Sequence, residues 1–187
     1  MLRYAITTSL GTLALVAMAA AVALAITLAL PRGRAWLGAT LGGNERHLIG
    51  WAWVVALLAM FGSLYFSDVL KLPPCLLCWY QRIAMYPLVL VLGVGLLRSD
   101  SNVWRFALPL PIVGAVISAY HVALQVQPSL EVLACTTGVP CTARVLVVHG
   151  FVSIPVMASS AFLLIATLLF TLRVVRAGTD AGGEADA

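Results

Sequence analysis

The sequence predicts an all-α integral membrane protein, built as a four-helix transmembrane bundle with one extra N-terminal transmembrane helix. Hydrophobic residues make up 62% of the 187 residues and charged residues 10%, with a mean hydropathy of +1.03. Five apolar runs each reach about the 20 residues that a helix needs to cross a bilayer. Only helices and closed barrels span lipid, and the runs lack the short alternating pattern of barrel strands.

The five runs follow one another along the chain, with polar segments between them. They cover residues 4–30, 48–67, 79–97, 106–126 and 151–172. We therefore divide the chain into an extra helix with its cytoplasmic loop (1–47), a four-helix core (48–172) and a tail (173–187). The tail is small and polar, with no apolar face to bury, and is predicted to be disordered.

The basic residues predict how the helices are oriented. Five helices place seven of the eleven basic residues on one side of the membrane and four on the other. The positive-inside rule puts the richer side in the cytoplasm, with the N-terminus outside and the C-terminus inside. A cleaved signal peptide is the alternative for the first run, but it conflicts with this bias, and the run exceeds the ~7–15 residues of a signal h-region. The seven residues are Arg32, Arg34, Arg46, Arg98, Arg105, Arg173 and Arg176.

All four cysteines fall in the two segments predicted to face outward, where disulfides persist. Cys75 and Cys78 lie in "LPPCLLCWYQR" (72–82), and Cys135 and Cys141 lie in a longer second loop. The small ring that Cys75 and Cys78 would close gains little loop-closure entropy, which favours redox chemistry over stapling. A zinc site is the alternative, but two membrane helices separate the pairs, and no metal is expected.

The first pair is predicted to lie at the start of a membrane helix. Two prolines precede Cys75 and cannot continue a helix, so the helix should begin between Cys75 and Trp79. Cys78 would then lie at or near the N-terminus, where the helix dipole favours an anion. Arg82 follows one turn later on the same face. Both features favour the reactive thiolate of Cys78, although Arg82 could instead reach the headgroups.

The two cysteine motifs together resemble those of the DsbB family of disulfide bond formation proteins. "PCLLCWYQR" before an apolar helix is similar to the first motif of that family. "CTTGVPC" followed by "GFVSIPVMA" is similar to the second motif of its BdbC-type branch. The similarity covers residues 48–172, the predicted core.

The resemblance implies a membrane thiol oxidase of the bacterial inner membrane. Such a protein reoxidises a DsbA-like thioredoxin-fold oxidase outside the cytoplasm and passes the electrons to a membrane quinone, either ubiquinone or menaquinone. The expected surroundings are the lipid bilayer, with no nucleic-acid partner. By position, the partner's thiolate would attack Cys135, and Cys141 would then attack Cys75. Cys78 would be the thiolate that meets the quinone, next to Arg82.

Two further features leave alternatives open. His121 and Gln125 lie one turn apart near the outer end of the fourth run, where they could hydrogen-bond a quinone carbonyl or reach headgroup water. The helix at residues 1–30 departs from the four-helix core of the family. Its small residues would allow close packing on the bundle, or it could be a dispensable anchor.

Three other functions are alternatives to the thiol oxidase. A vitamin K epoxide reductase-like quinone reductase usually carries its active-site pair after the loop pair, whereas here the helix-start pair comes first. A CcdA-type importer of reducing power places its cysteines within membrane helices, and this chain has none there. A non-enzymatic tetraspan scaffold with two structural disulfides would show no quinone-dependent turnover.

Overall fold

The computed structural model describes residues 1–131 and 139–185 of the chain. Five segments of this part are long and apolar enough to cross a membrane, which confirms the predicted all-α membrane fold. The helices are α1 (Leu2–Ala29), α2 (Pro31–Leu41), α3 (Glu45–Leu64), α4 (Leu76–Arg98), α5 (Trp104–Ala107), α6 (Pro109–Val126) and α7 (Ile154–Ala185). A π-helical turn, Tyr65–Val69, extends α3, and a short antiparallel pair, β1 (Val147–Val148) with β2 (Val152–Ser153), precedes α7.

Helices α3, α4, α6 and α7 form a closed four-helix bundle. α3 packs against α4, α4 against α6, α6 against α7, and α7 against α3. Leu88 and Leu92 of α4, Ile49 of α3 and Phe162 of α7 are fully buried at its centre. The ring of Phe162 lies so close to Gly114 of α6 that a Cβ atom there would overlap it. Lipid is as apolar as these side chains, so close packing holds the helices together.

Helix α1 lies outside this bundle and packs along α7. Its buried positions Thr7, Ala14, Ala21 and Leu28 recur every seven residues, with Gly11 between the first two. A seven-residue period keeps one narrow seam against a neighbouring helix at a small crossing angle. Because most of these residues are small, the two backbones can approach closely.

The segment after α1 and the C-terminal tail differ from the sequence expectation. The segment after α1 holds the helix α2, which starts with Pro31 in its first turn, where proline is favoured. The tail was predicted to be disordered, whereas α7 continues through it to Ala185. Val175 is buried against Leu28 and Leu37, and this contact supports the added turns. An established helix extends at little cost per residue, so the tail does not need an apolar face of its own.

The second cysteine-bearing loop ends in a short hairpin. Three residues, 149–151, join β1 to β2, and His149 and Gly150 among them have φ angles of 53° and 81°. A positive φ is adopted most easily by glycine, which has no Cβ atom, and Gly150 meets this requirement in the turn. The hairpin places the start of α7 beside the N-terminal half of α1, where Gly11 contacts Val148.

Candidate active site

The first cysteine pair lies at the N-terminus of α4. Cys75 is the N-cap residue, and its sulfur accepts a hydrogen bond from the backbone N–H of Cys78 at 3.4 Å. Cys78 lies in the first turn of the helix, as predicted. The cap position itself, where a side chain meets the unpaired helix N–H groups, belongs to Cys75. The environment that favours an anion is therefore centred on Cys75 and not on Cys78, which corrects the sequence expectation.

The two sulfurs of this pair are close and unbonded. Cys75 and Cys78 carry free thiols, with their Sγ atoms 2.9 Å apart. The hydrogen bond from the Cys78 thiol lowers the pKa of Cys75 below its usual value, against the opposing effect of burial. His121 and the Cys78 backbone N–H lower the pKa of Cys75 further. In this state the thiolate is favoured on Cys75.

A buried imidazole connects this pair to the second loop. His121 of α6 is 2% exposed, so it does not reach headgroup water. Its Nε2 lies 3.1 Å from the carbonyl oxygen of Cys141 and 3.7 Å from the sulfur of Cys75. A carbonyl oxygen only accepts, so Nε2 carries the hydrogen. Nδ1 then accepts a hydrogen bond from the side-chain amide of Gln81 at 3.1 Å.

The second cysteine pair is partly described. Cys141 is disulfide-bonded and fully buried. It packs in one apolar cluster with Cys75, Leu77 and Leu124. Cys135 lies outside the described residues, so its predicted pairing with Cys141 and its role toward a partner stay predictions. The structure nevertheless brings one cysteine of each predicted pair into the same buried cluster.

Arg82 is held against α3. Its Nε donates to the Ser63 hydroxyl at 2.9 Å, and its Nη2 donates to the Ser63 carbonyl at 3.1 Å. The guanidinium also lies 5.1 Å from the centre of the Trp79 ring. These contacts keep the half-buried side chain against α3, and both Arg82 and Cys78 line one cavity. Arg82 therefore faces the site and is not extended toward the headgroups.

Gln125 supports the second loop. Its side-chain oxygen accepts a hydrogen bond from Ser153 at 2.6 Å, and its amide donates to the Ala143 carbonyl at 3.3 Å. Arg144 donates to the Gln125 backbone carbonyl at 2.8 Å. The residue also lines the cavity, but its side-chain bonds hold the loop on α6. A direct contact with a cofactor stays a prediction.

The cavity has the size and polarity of a small-molecule site. Its volume is about 380 Å³, within the range of small-molecule sites. Near the cysteines it is lined by Gln81 and Arg82, and elsewhere by apolar helix faces. Tyr86, one turn beyond Arg82, also lines it, and its buried hydroxyl has no hydrogen-bond partner among the described residues. An unpaired buried hydroxyl beside a cation and a thiol pair fits a ligand with oxygen acceptors.

The same end of the cavity offers three ligand atoms to a metal. The Cys75, Cys78 and His121 atoms that could bind one lie within 4.8 Å of one another. Structural zinc sites have four protein ligands, and the ring nitrogen nearest the sulfurs already faces the Cys141 carbonyl. The arrangement thus suits thiol exchange better than a closed zinc site.

Three residues of the site were not singled out from the sequence. Gln81 is a polar residue within an apolar run, and this is a sequence signal for a buried polar contact. Tyr86 follows Cys78 and Arg82 at four-residue spacing, which places all three on one helix face. Ser63 gave no signal, because a serine in an apolar helix commonly bonds its own backbone.

The chain is similar to a family of known proteins. A family model described as "Disulfide bond formation protein DsbB" matches residues 45–172. The chain is 47% identical over 132 residues to "Probable disulfide formation protein C 2" of Bacillus anthracis, covering 71% of this chain and 94% of that protein. It is 47% identical over 123 residues to "Disulfide bond formation protein C" of Bacillus subtilis, covering 65% and 89%. No solved structure gives a significant match.

The lowered pKa of Cys75 predicts alkylation at acidic pH. In a reduced Cys135→Ser/Cys141→Ser background, Cys75 should react with iodoacetamide below pH 8, because the thiolate persists as the pH falls until its lowered pKa is reached. The rate is measured by mass spectrometry of the Cys75 peptide. Replacing Cys78 by Ala removes the principal hydrogen bond and should move the midpoint toward that of an ordinary cysteine, about 8.5. Equal midpoints in both proteins would contradict this account.

Proposed function

The chain belongs to the DsbB family of disulfide bond formation proteins, and from this premise we propose that it is a quinone-dependent thiol oxidase. It takes two electrons from a DsbA-like thioredoxin-fold oxidase and delivers them to a membrane quinone. The observation that carries the proposal is the meeting of Cys75 and Cys141 around His121. Two disulfide-forming centres in one buried cluster can exchange electrons without a large movement of the chain.

The first steps use the second loop. A thiolate of the partner attacks Cys135 of a Cys135–Cys141 disulfide, forming a mixed disulfide, and Cys141 leaves as a thiolate. The partner's second thiol then attacks its own sulfur in the mixed disulfide and releases Cys135. The partner is oxidised, and its two electrons reside on the loop pair.

The next step moves these electrons to the helix-start pair. The Cys141 thiolate attacks Cys75 of a Cys75–Cys78 disulfide, and Cys78 leaves as a thiolate. Cys135 then attacks Cys141, which restores the loop disulfide and releases Cys75. The N–H groups at the start of α4 and the Nε2 hydrogen of His121 stabilise negative charge on Cys75. Free Cys75 and Cys78 beside a disulfide-bonded Cys141 match the state after this transfer.

The cavity residues provide the acceptor site. A bound quinone, ubiquinone or menaquinone, supplies a two-electron, two-proton acceptor. Cys78 lies on the cavity lining, and Arg82 would balance negative charge that develops next to it. The Tyr86 hydroxyl offers a hydrogen-bond donor at the same end of the cavity. Formation of the Cys75–Cys78 disulfide then completes the cycle.

This function requires both cysteine loops outside the cytoplasm. The N-terminal half of α1 contacts the hairpin after Cys141, which supports an N-terminus on the side of the loops. The excess of arginines lies on the opposite side. An impermeant maleimide should therefore label the native cysteines of intact, reduced cells. A Ser101→Cys variant without other cysteines should be labelled after permeabilisation, and the reverse pattern would show that the orientation is wrong.

The proposed order of exchange predicts which cysteine joins the partner. Mixing a reduced Cys141→Ser variant with an oxidised thioredoxin-fold oxidase should give a mixed disulfide through Cys135, since Cys135 then attacks the partner's disulfide. Acid quenching and non-reducing electrophoresis detect the complex. A matched Cys135→Ser variant should give little complex. A complex that survives this change and disappears in Cys75→Ser would place the partner's contact on the wrong pair.

Arg82 is expected to act in the quinone step and not in the partner step. Arg82→Met should slow quinone reduction roughly a hundred- to thousandfold, the scale for losing one charge-stabilising donor. Arg82→Lys should recover part of the rate, because it keeps the charge without the planar fork. Exchange with the partner, measured separately by stopped-flow fluorescence, should be unchanged.

A matched variant separates the charge of Arg82 from its contact with α3. Ser63→Ala removes one acceptor of the guanidinium but leaves the carbonyl acceptor and the charge. It should affect quinone reduction less than Arg82→Met does. If Arg82→Met reduces quinone at the normal rate at every quinone concentration, the arginine has no part in that step.

A further inference from the structure

The cavity extends beyond the redox residues, into the space between α1 and the bundle. Helix α1 packs along α7, whereas most of α3 is not in contact with α1. The space is lined by one face of α1, which includes Leu13, Ala17 and Ala20, and by facing residues of α3 down to Trp51. Helix α1 lies outside the region that the family model matches, residues 45–172. This wall of the cavity is therefore an addition to the four-helix core.

The two ends of the cavity differ in chemistry. The outer end holds the cysteine pair, Arg82 and the unpaired Tyr86 hydroxyl, while the shaft between α1, α3 and α7 is apolar. Along α3 the lining runs from Gly62 to Trp51, which corresponds to about 16 Å at ~1.5 Å per residue. A ligand that fills it has a polar, redox-active head and a long apolar tail.

From this shape we propose that α1 forms one wall of a binding groove for the prenyl tail of the quinone. The proposal rests on the proposed function, because the occupant is the quinone whose head lies at the cysteines. With α1 in place, the first part of the tail lies between protein helices and not in lipid. The protein thereby gains affinity for tailed quinones over ring analogues without a tail.

Specific contacts hold α1 at the distance that leaves this groove. Gly11 lies against Val148, where an added Cβ atom would come within 2.9 Å of the valine side chain. Thr12 and His149 share a hydrogen bond of 3.1 Å between Oγ1 and Nε2. Leu10 lies over Gly62 of α3. These contacts fix the outer end of α1 to the hairpin and to α3, while farther along the helix the face with Ala17 stays beside the groove.

A pair of neighbouring alanines tests the proposal. Ala17 lines the cavity, whereas Ala19, two residues on, is exposed and does not line it. Ala17→Phe fills the groove, and Ala19→Phe places the same ring in lipid. The measurement is the quenching of tryptophan fluorescence by a quinone with a prenyl tail and by the same ring without a tail, in one detergent. Thermal unfolding of each variant confirms that it is folded.

The expected result is specific to the tail. Ala17→Phe should weaken binding of the tailed quinone roughly tenfold and leave the tail-less ring unaffected, and Ala19→Phe should match the wild type. If Ala17→Phe does not fold, Leu13→Ala replaces it, and removal of this apolar wall should weaken tailed binding roughly three- to tenfold.

The outcomes separate the two proposals. If the wild type binds the tailed quinone and the groove variants bind it equally well, α1 is not part of the groove, and the proposed function stands. If the wild type binds the tailed and the tail-less quinone equally well, the groove does not bind a prenyl tail. The same conclusion follows if a phospholipid acyl chain displaces the tailed quinone as well as another tailed quinone does. If the wild type binds no quinone at all, the proposed function fails, and the groove proposal fails with it.

Discussion

The end of the protein that holds the cysteines depends on the hydrogen bonding of one buried imidazole. His121 lies on α6, yet its two ring nitrogens face Gln81 of α4 and the Cys141 carbonyl of the second loop. A histidine buried at the end of a membrane helix needs partners for both nitrogens, because unpaired polar groups in such a place are costly. These bonds determine how the loop sits on the bundle. They bring Cys141 next to Cys75, which caps the neighbouring helix, and so connect two motifs that lie far apart in the sequence.

This junction divides the molecule into two chemical environments. On one side the second loop, which carries Cys141, is held on α6 by Gln125 and its bonds to Ala143 and Ser153. On the other side the first turn of α4 opens into a cavity that continues between membrane helices. A thiol pair at the border can receive electrons from a soluble protein and pass them to a lipid-soluble molecule. The order of the motifs, with the helix-start pair first, also favours the thiol oxidase over a vitamin K epoxide reductase-like protein.

The sequence was sufficient to predict the membrane helices, because apolar run length and the cost of unpaired backbone groups in lipid leave few alternatives. It also predicted the start of α4, since prolines before Cys75 exclude a continuing helix. It did not predict that Cys75 is the cap, because a shift of a few residues in helix start changes which thiol meets the N–H groups. Contacts between distant segments, such as Gln81 with His121 and Arg82 with Ser63, have no local signal. The helical tail after residue 172 was missed because its support comes from Val175 packing on α1 and α2.

The most direct test follows the electrons through the whole protein. The purified protein in lipid is mixed without oxygen with excess reduced thioredoxin-fold oxidase and a prenylated quinone, and quinol formation is followed by ultraviolet absorbance. The account predicts one quinol for each partner disulfide formed, and no quinol in a Cys78→Ser variant. Oxidation of the partner at the same rate without quinone, or quinol formation that survives loss of Cys78, would contradict it.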